Sequence, residues 1–111
     1  MKTYVQPGNT ITLTAPYAVV SGDGLLVGSI FGVASATAAL GETVETTLVG
    51  VFDLTKVGSQ AWTAGAKVYW DNTNKRCTTV ATDNTLIGVA TEAVASGAGD
   101  VVGRVRLNGA F

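Results

Sequence analysis

Apolar and polar residues in this chain alternate with a period of two, and turn-forming residues interrupt them at short intervals. That pattern is the signature of half-buried strands rather than of amphipathic helices, whose apolar positions recur every three to four residues. Thr10-Ile11-Thr12-Leu13-Thr14 alternates cleanly, with Ile11 and Leu13 on the apolar face. Leu25 to Val33 is apolar on both faces and reads as one covered strand followed by a loop. Glu42 to Leu54 reads as a longer strand with Val44, Thr46 and Leu48 on one face, Gly50 as a candidate bulge, and Val51 and Phe52 beyond it.

The second half continues the pattern. Asp53 to Trp62 is the least strand-like stretch and is expected to form one short helical turn before Ala64-Gly65. Lys67-Val68-Tyr69-Trp70 and Arg76-Cys77-Thr78-Thr79-Val80 flank Asp71-Asn72-Thr73-Asn74-Lys75. Asp and Asn side chains bond the nearby backbone and tolerate left-handed conformations, so this reads as a hairpin. Leu86 to Ala90 follows an Asp83-Asn84 turn, and Ser96-Gly97-Ala98-Gly99 makes another turn. Val101 to Leu107 places Val101, Val105 and Leu107 on one face and Arg104 and Arg106 on the other. The expected fold is all-β: a single small barrel or sandwich of about seven to eight short, mainly antiparallel strands, forming one domain over residues 1–111. Neither a repeat nor a linker is visible.

Composition narrows the function. The 111 residues include no histidine, one cysteine and 14% charged residues. Histidine is the side chain whose unperturbed pKa lies between pH 5 and 8, and metal sites favour His, Cys and carboxylate clusters. No cofactor or metal ligand set is expected, and the chain reads as a non-enzyme. Lone Cys77 forms no internal disulfide, and without a histidine to activate it, it reads as a small buried strand residue. Seven basic and eight acidic residues give a net charge of −1 with the basic ones scattered, against direct nucleic-acid binding. The N-terminus lacks the apolar run of a signal peptide. Gly24 to Gly41 is uncharged, but it is barely long enough for a membrane span and is flanked by Asp23 and Glu42.

Several motifs dissolve on inspection. Gly22 to Gly28 and Gly97 to Gly103 both read G-x-G-x-x-x-G, one residue off the dinucleotide fingerprint, and each opens into a strand. Phosphate binding by such loops draws on a helix N-terminus, so these are read as turn glycines. Gly-Lys followed by Ser or Thr is absent, which excludes a Walker A loop. Glu42 and Glu45 lie three apart on an expected strand, hence on opposite faces, and cannot act together as acid and base. Tyr69 and Trp70 are adjacent in one strand, so one of them points away from the core unless that face is covered. Aromatic residues are enriched at interfaces.

Taken in order, Gly50-Val51-Phe52-Asp53-Leu54, Gly65-Ala66-Lys67-Val68-Tyr69-Trp70-Asp71, Leu86 to Ala93 and Val105-Arg106-Leu107-Asn108-Gly109 resemble the bacteriophage capsid cement, or head decoration, family. The resemblance runs from Gln6-Pro7-Gly8 to Leu107-Asn108-Gly109. It implies a small all-β virion protein, a homotrimer, made in the host cytoplasm. Such a protein binds the major capsid protein on the outer surface of the head and reinforces the shell. No binding residue carries over from the family. The residues that read as interface candidates are Lys2, Thr3, Tyr4 and Gln6 in the polar N-terminal arm, with Phe31, Tyr69, Trp70, Arg104 and Arg106. Two other classes share the composition: a tail tube or spike subunit, and a carbohydrate-binding module using exposed Trp and Tyr.

Overall fold

A computed structural model describes residues 8–109. The described chain forms nine strands in two antiparallel sheets: β1 (Thr10–Thr14), β2 (Gly24–Val27), β3 (Ile30–Ala34), β4 (Thr43–Thr47), β5 (Val49–Thr55), β6 (Lys67–Asp71), β7 (Arg76–Thr78), β8 (Thr85–Ala90) and β9 (Val102–Asn108). The smaller sheet has the order β1-β4-β3-β2, and the larger has β5-β9-β8-β6-β7. Among the described residues there is no helix, and so none long and apolar enough to cross a membrane.

The larger sheet curls until its two edges meet. Lys56, just past β5, bridges Cys77 of β7 in parallel, and the Val57 amide donates to the Cys77 carbonyl at 2.9 Å. Curling wraps the inward residues around one core: Leu54, Trp62, Val68, Trp70, Cys77, Ile87, Ala90, Val105 and Leu107. β9 shows how alternation builds it, with Gly103, Val105 and Leu107 buried and Val102, Arg104, Arg106 and Asn108 exposed. Phe31 and Val33 of β3 insert into this same core, which fastens the smaller sheet to the barrel. The smaller sheet has its own cluster of Ala15, Val19, Leu25, Ala34, Ala38 and Val44.

Five expectations are corrected. Leu25 to Val33 is a hairpin, not one strand: Val27 pairs with Ile30 across Gly28-Ser29. Gly28 takes φ +60° as the first of two loop residues, the pattern of a type II′ turn, and this folds the apolar run back on itself. Glu42 to Leu54 is likewise two strands in different sheets, with the crossover at Leu48. Gly50 pairs with Leu107 in unbroken register, so the bulge is not there; the register shift lies between Val68 and Tyr69, opposite β8. Asp53 to Trp62 has no helical turn. β5 runs through Thr55, Lys56 makes the closing bridge, and Trp62 pairs with Val94. Finally, Val101 precedes β9 and is 45% exposed, so it does not share the inner face of Val105 and Leu107.

Candidate functional site

The side chains with chemical potential are mostly committed to structure. Cys77 is fully buried, and burial pushes its thiol up to about 12, which makes it a poor nucleophile. Lys56 is 1% exposed, and its Nζ donates to the carbonyls of Val57 (2.8 Å) and Asp100 (3.1 Å) and lies 5.5 Å from the Trp62 ring centroid. This lysine ties the closing edge of the barrel to the 97–101 turn. Gln60 works beside it: its Oε1 accepts from Trp62 Nε1 at 2.8 Å and from the Thr79 amide at 3.0 Å. Among the described residues, no three His, Cys, Asp or Glu side chains come together as a metal site would require.

The β6–β7 hairpin has the predicted turn. The Asp71 carboxylate accepts from the amides of Thr73 (3.0 Å) and Asn74 (3.3 Å) and from Asn74 Nδ2 (2.8 Å). The Asn74 side chain, its amide and that of Thr73 hold the Asp71 carboxyl below its ordinary range, with Arg76 adding a smaller pull. Lys75 adopts φ +54° and lays its ammonium 4.2 Å over the Tyr17 ring. Tyr17 in turn donates to the Gly24 carbonyl at 2.8 Å, and burial raises its phenol. These residues border a cleft of about 190 Å³ between the sheets, whose charged groups are already engaged in local contacts: Asp23 with the Val20 amide, Asp53 with Arg104, Lys75 with Asn72 and Tyr17.

The sequence-derived interface candidates separate sharply. Lys2, Thr3, Tyr4 and Gln6 lie outside the described residues. Phe31 and Trp70 are core residues, 6% and 3% exposed, with ring centroids 5.0 Å apart. Tyr69 is half-buried on the outer face of the barrel, the opposite side of β6 from Trp70. Arg104 and Arg106 both face outward, but they differ electrostatically. Asp53 sits directly across from Arg104 and binds it through two contacts of 2.9 and 3.2 Å, with Glu92 at 3.7 Å. Arg106 lies across from Val51 and Val89 and has no ion pair among the described residues. The two glutamates serve separately: Glu42 accepts from the Ala39 amide at 2.6 Å, and Glu45 accepts from the Thr12 hydroxyl.

What remains accessible is surface. Exposed apolar side chains collect on the outside of the barrel (Val49, Val51, Leu86, Val102) and in the loops at one end of the smaller sheet (Val20, Leu40). Sequence reasoning missed both groups, because each assembles from segments distant in the chain. The arrangement is a β body with Lys56, Asp53, Asp71, Cys77 and Arg104 tied into it and with apolar side chains on its outside.

A family model for phage cement proteins matches residues 5–107. The chain belongs to the phage cement protein family. Searches of curated proteins and of solved structures found no match. A phage cement protein is a structural component of the virion capsid, and its role is to cement that shell. For such a cement protein the surface is the working part, which is where the exposed apolar residues lie.

Proposed function

We propose that this cement protein acts as one domain, bound as a homotrimer to the outer surface of the head and seated across neighbouring copies of the major capsid protein. The family match over residues 5–107 carries the reading. Packaged DNA presses outward, and lattice subunits then tend to slide or part. A body that binds only the assembled lattice stabilises it by mass action. Specific interfaces bury on the order of 1,200–2,000 Å², and three linked contacts gain further through avidity. Rigidity supports the role: the barrel is closed by the Lys56–Cys77 bridge and plugged by Phe31 and Val33, so little conformational freedom is lost on docking. The polar N-terminal residues Lys2, Thr3, Tyr4 and Gln6 are assigned to the shell contact. Synthesis in the host cytoplasm is in keeping with the unpaired Cys77.

Calorimetry of expanded heads with and without saturating protein tests the reading. Bound protein raises the melting temperature of the shell, and unchanged melting at full occupancy overturns reinforcement. Deleting residues 1–6 lowers occupancy if the arm makes contact; undiminished occupancy removes the arm from the proposal alone.

A further inference from the structure

Two separate surfaces of the fold are apolar in the middle and oppositely charged at the rim. One is a groove of about 350 Å³ at the tip of the smaller sheet, between residues 18–23 and 37–42. Val20, 55% exposed, lines it with Ala18, Val19, Ala38 and Ala39, and Leu40, next in the chain to Ala39, is 70% exposed. Its charged lining residues are Asp23 and Glu42. Each carboxylate accepts a backbone amide of the same segments, Val20 at 3.0 Å and Ala39 at 2.6 Å, so the negative rim is fixed in place. The segments are also locked to each other, since Val19 and Ala38 exchange both backbone hydrogen bonds at 2.9 Å.

The other surface lies outside the barrel, a shallow hollow of about 150 Å³. Pairing registers place Val51, Arg106, Val89 and Lys67 in one row across β5, β9, β8 and β6. Gly88 and Val89 line the hollow, Leu86 borders it at 41% exposure, and Lys67 and Arg106 supply its charge. Neither cation has an ion pair among the described residues, in contrast to Arg104 two positions away.

The geometry points to a head-to-tail contact in which the acidic, apolar tip of one copy seats on the basic, apolar barrel face of the next. This rests on the trimer reading above and assigns its surfaces. The occupant is a second copy because the chain itself carries the complement in both charge and apolarity: two fixed carboxylates around an apolar groove, two unpaired cations around an apolar hollow. A contact between two different patches is heterologous, and it ends in a closed ring when the rotation between copies closes. Complementary potentials also fix the register and disfavour tip-to-tip and face-to-face pairing.

The test uses two full-length variants and sedimentation equilibrium. Val20→Lys with Leu40→Lys spoils the tip, and Lys67→Glu with Arg106→Glu spoils the face. All four side chains are exposed, and near-ultraviolet circular dichroism of the buried tryptophans checks that both variants fold. Wild type is expected as three chains and each variant alone as one. An equimolar mixture is expected to form dimers and nothing larger, because only the intact tip of one variant and the intact face of the other can meet. Raising salt from about 0.05 to about 0.5 M weakens the association. Variants that remain trimeric overturn the surface pairing while leaving the trimer standing, and a simultaneous loss of shell binding reassigns these surfaces to the capsid. A wild type that sediments as one chain overturns the trimer and the pairing together, without touching shell binding.

Discussion

Gly88 in the middle of β8 is, among the described glycines, the one where an added side chain meets the nearest obstacle. It lies opposite Leu107 of β9 on one side and Val68 of β6 on the other. A Cβ added there would stand 2.0 Å from the Arg106 carbonyl oxygen and 2.9 Å from its carbon. Relief to an ordinary contact requires β8 and β9 to part by about 1.4 Å, measured from that 2.0 Å approach. A ladder hydrogen bond stretched by that amount is lost. The obstacle is backbone in a central pair, so no side-chain rotation avoids it. Overpacking costs about 1–3 kcal/mol, and each backbone group left without a partner adds about 1–3 kcal/mol. Gly88→Ala is therefore expected to destabilise by about 3–5 kcal/mol, a large part of the roughly 5–15 kcal/mol typical of a domain. Gly99→Ala is the control: nothing lies within 4 Å of its added Cβ, and its φ is not left-handed. It should be neutral or stabilising by up to about 1 kcal/mol through the unfolded state. Urea unfolding followed by tryptophan fluorescence reads both, as shifts in midpoint at constant slope. A Gly88→Ala midpoint equal to that of Gly99→Ala would refute the packing argument.

Three further outcomes follow from the same structure. Cys77 should resist a thiol reagent at about pH 8 in the native protein and react fully in urea, since its thiol is pushed up to about 12 by burial; rapid native labelling contradicts a sealed barrel. Lys56→Met keeps the aliphatic stem but takes the donor from two carbonyls, so urea unfolding should show a loss of about 1–3 kcal/mol. Equal or greater stability would mean that those bonds do not repay the burial of an ammonium. The Asp71 carboxyl is held low in the folded state, so its contribution is present above the ordinary carboxylate value of about 3.9 and is lost as pH falls through the folded value. Asp71→Asn should flatten the acid side of the stability profile in that window, and an unchanged slope there would remove the turn as its source.

Strand content was legible because alternation and turn chemistry are local. Thr10–Thr14, the Asp71-to-Lys75 turn and the outward Arg104 and Arg106 were all readable from spacing. Gly28-Ser29 was a readable turn signal too, but an unbroken apolar run masked it, since a buried strand and a buried hairpin have the same composition. The sheet change at Leu48 carried no such signal, because Val44, Thr46 and Leu48 keep one buried face through the crossover. Lys56 was invisible for a different reason. Its burial depends on carbonyls at positions 57 and 100 and on Trp62, which only the closed barrel assembles. Arg104 and Arg106 looked equivalent in the sequence, and only strand pairing puts Asp53 across from one and Val51 across from the other.

The central claim, that this cement protein occupies the outside of the shell, is tested most directly by imaging. Purified protein is mixed at saturation with expanded, undecorated heads of its own phage, and the particles are reconstructed by electron cryomicroscopy. The account predicts added density on the outer surface, repeated at equivalent lattice positions and bridging capsid subunits. Heads with no added density, or with density only on the inner surface, would contradict it.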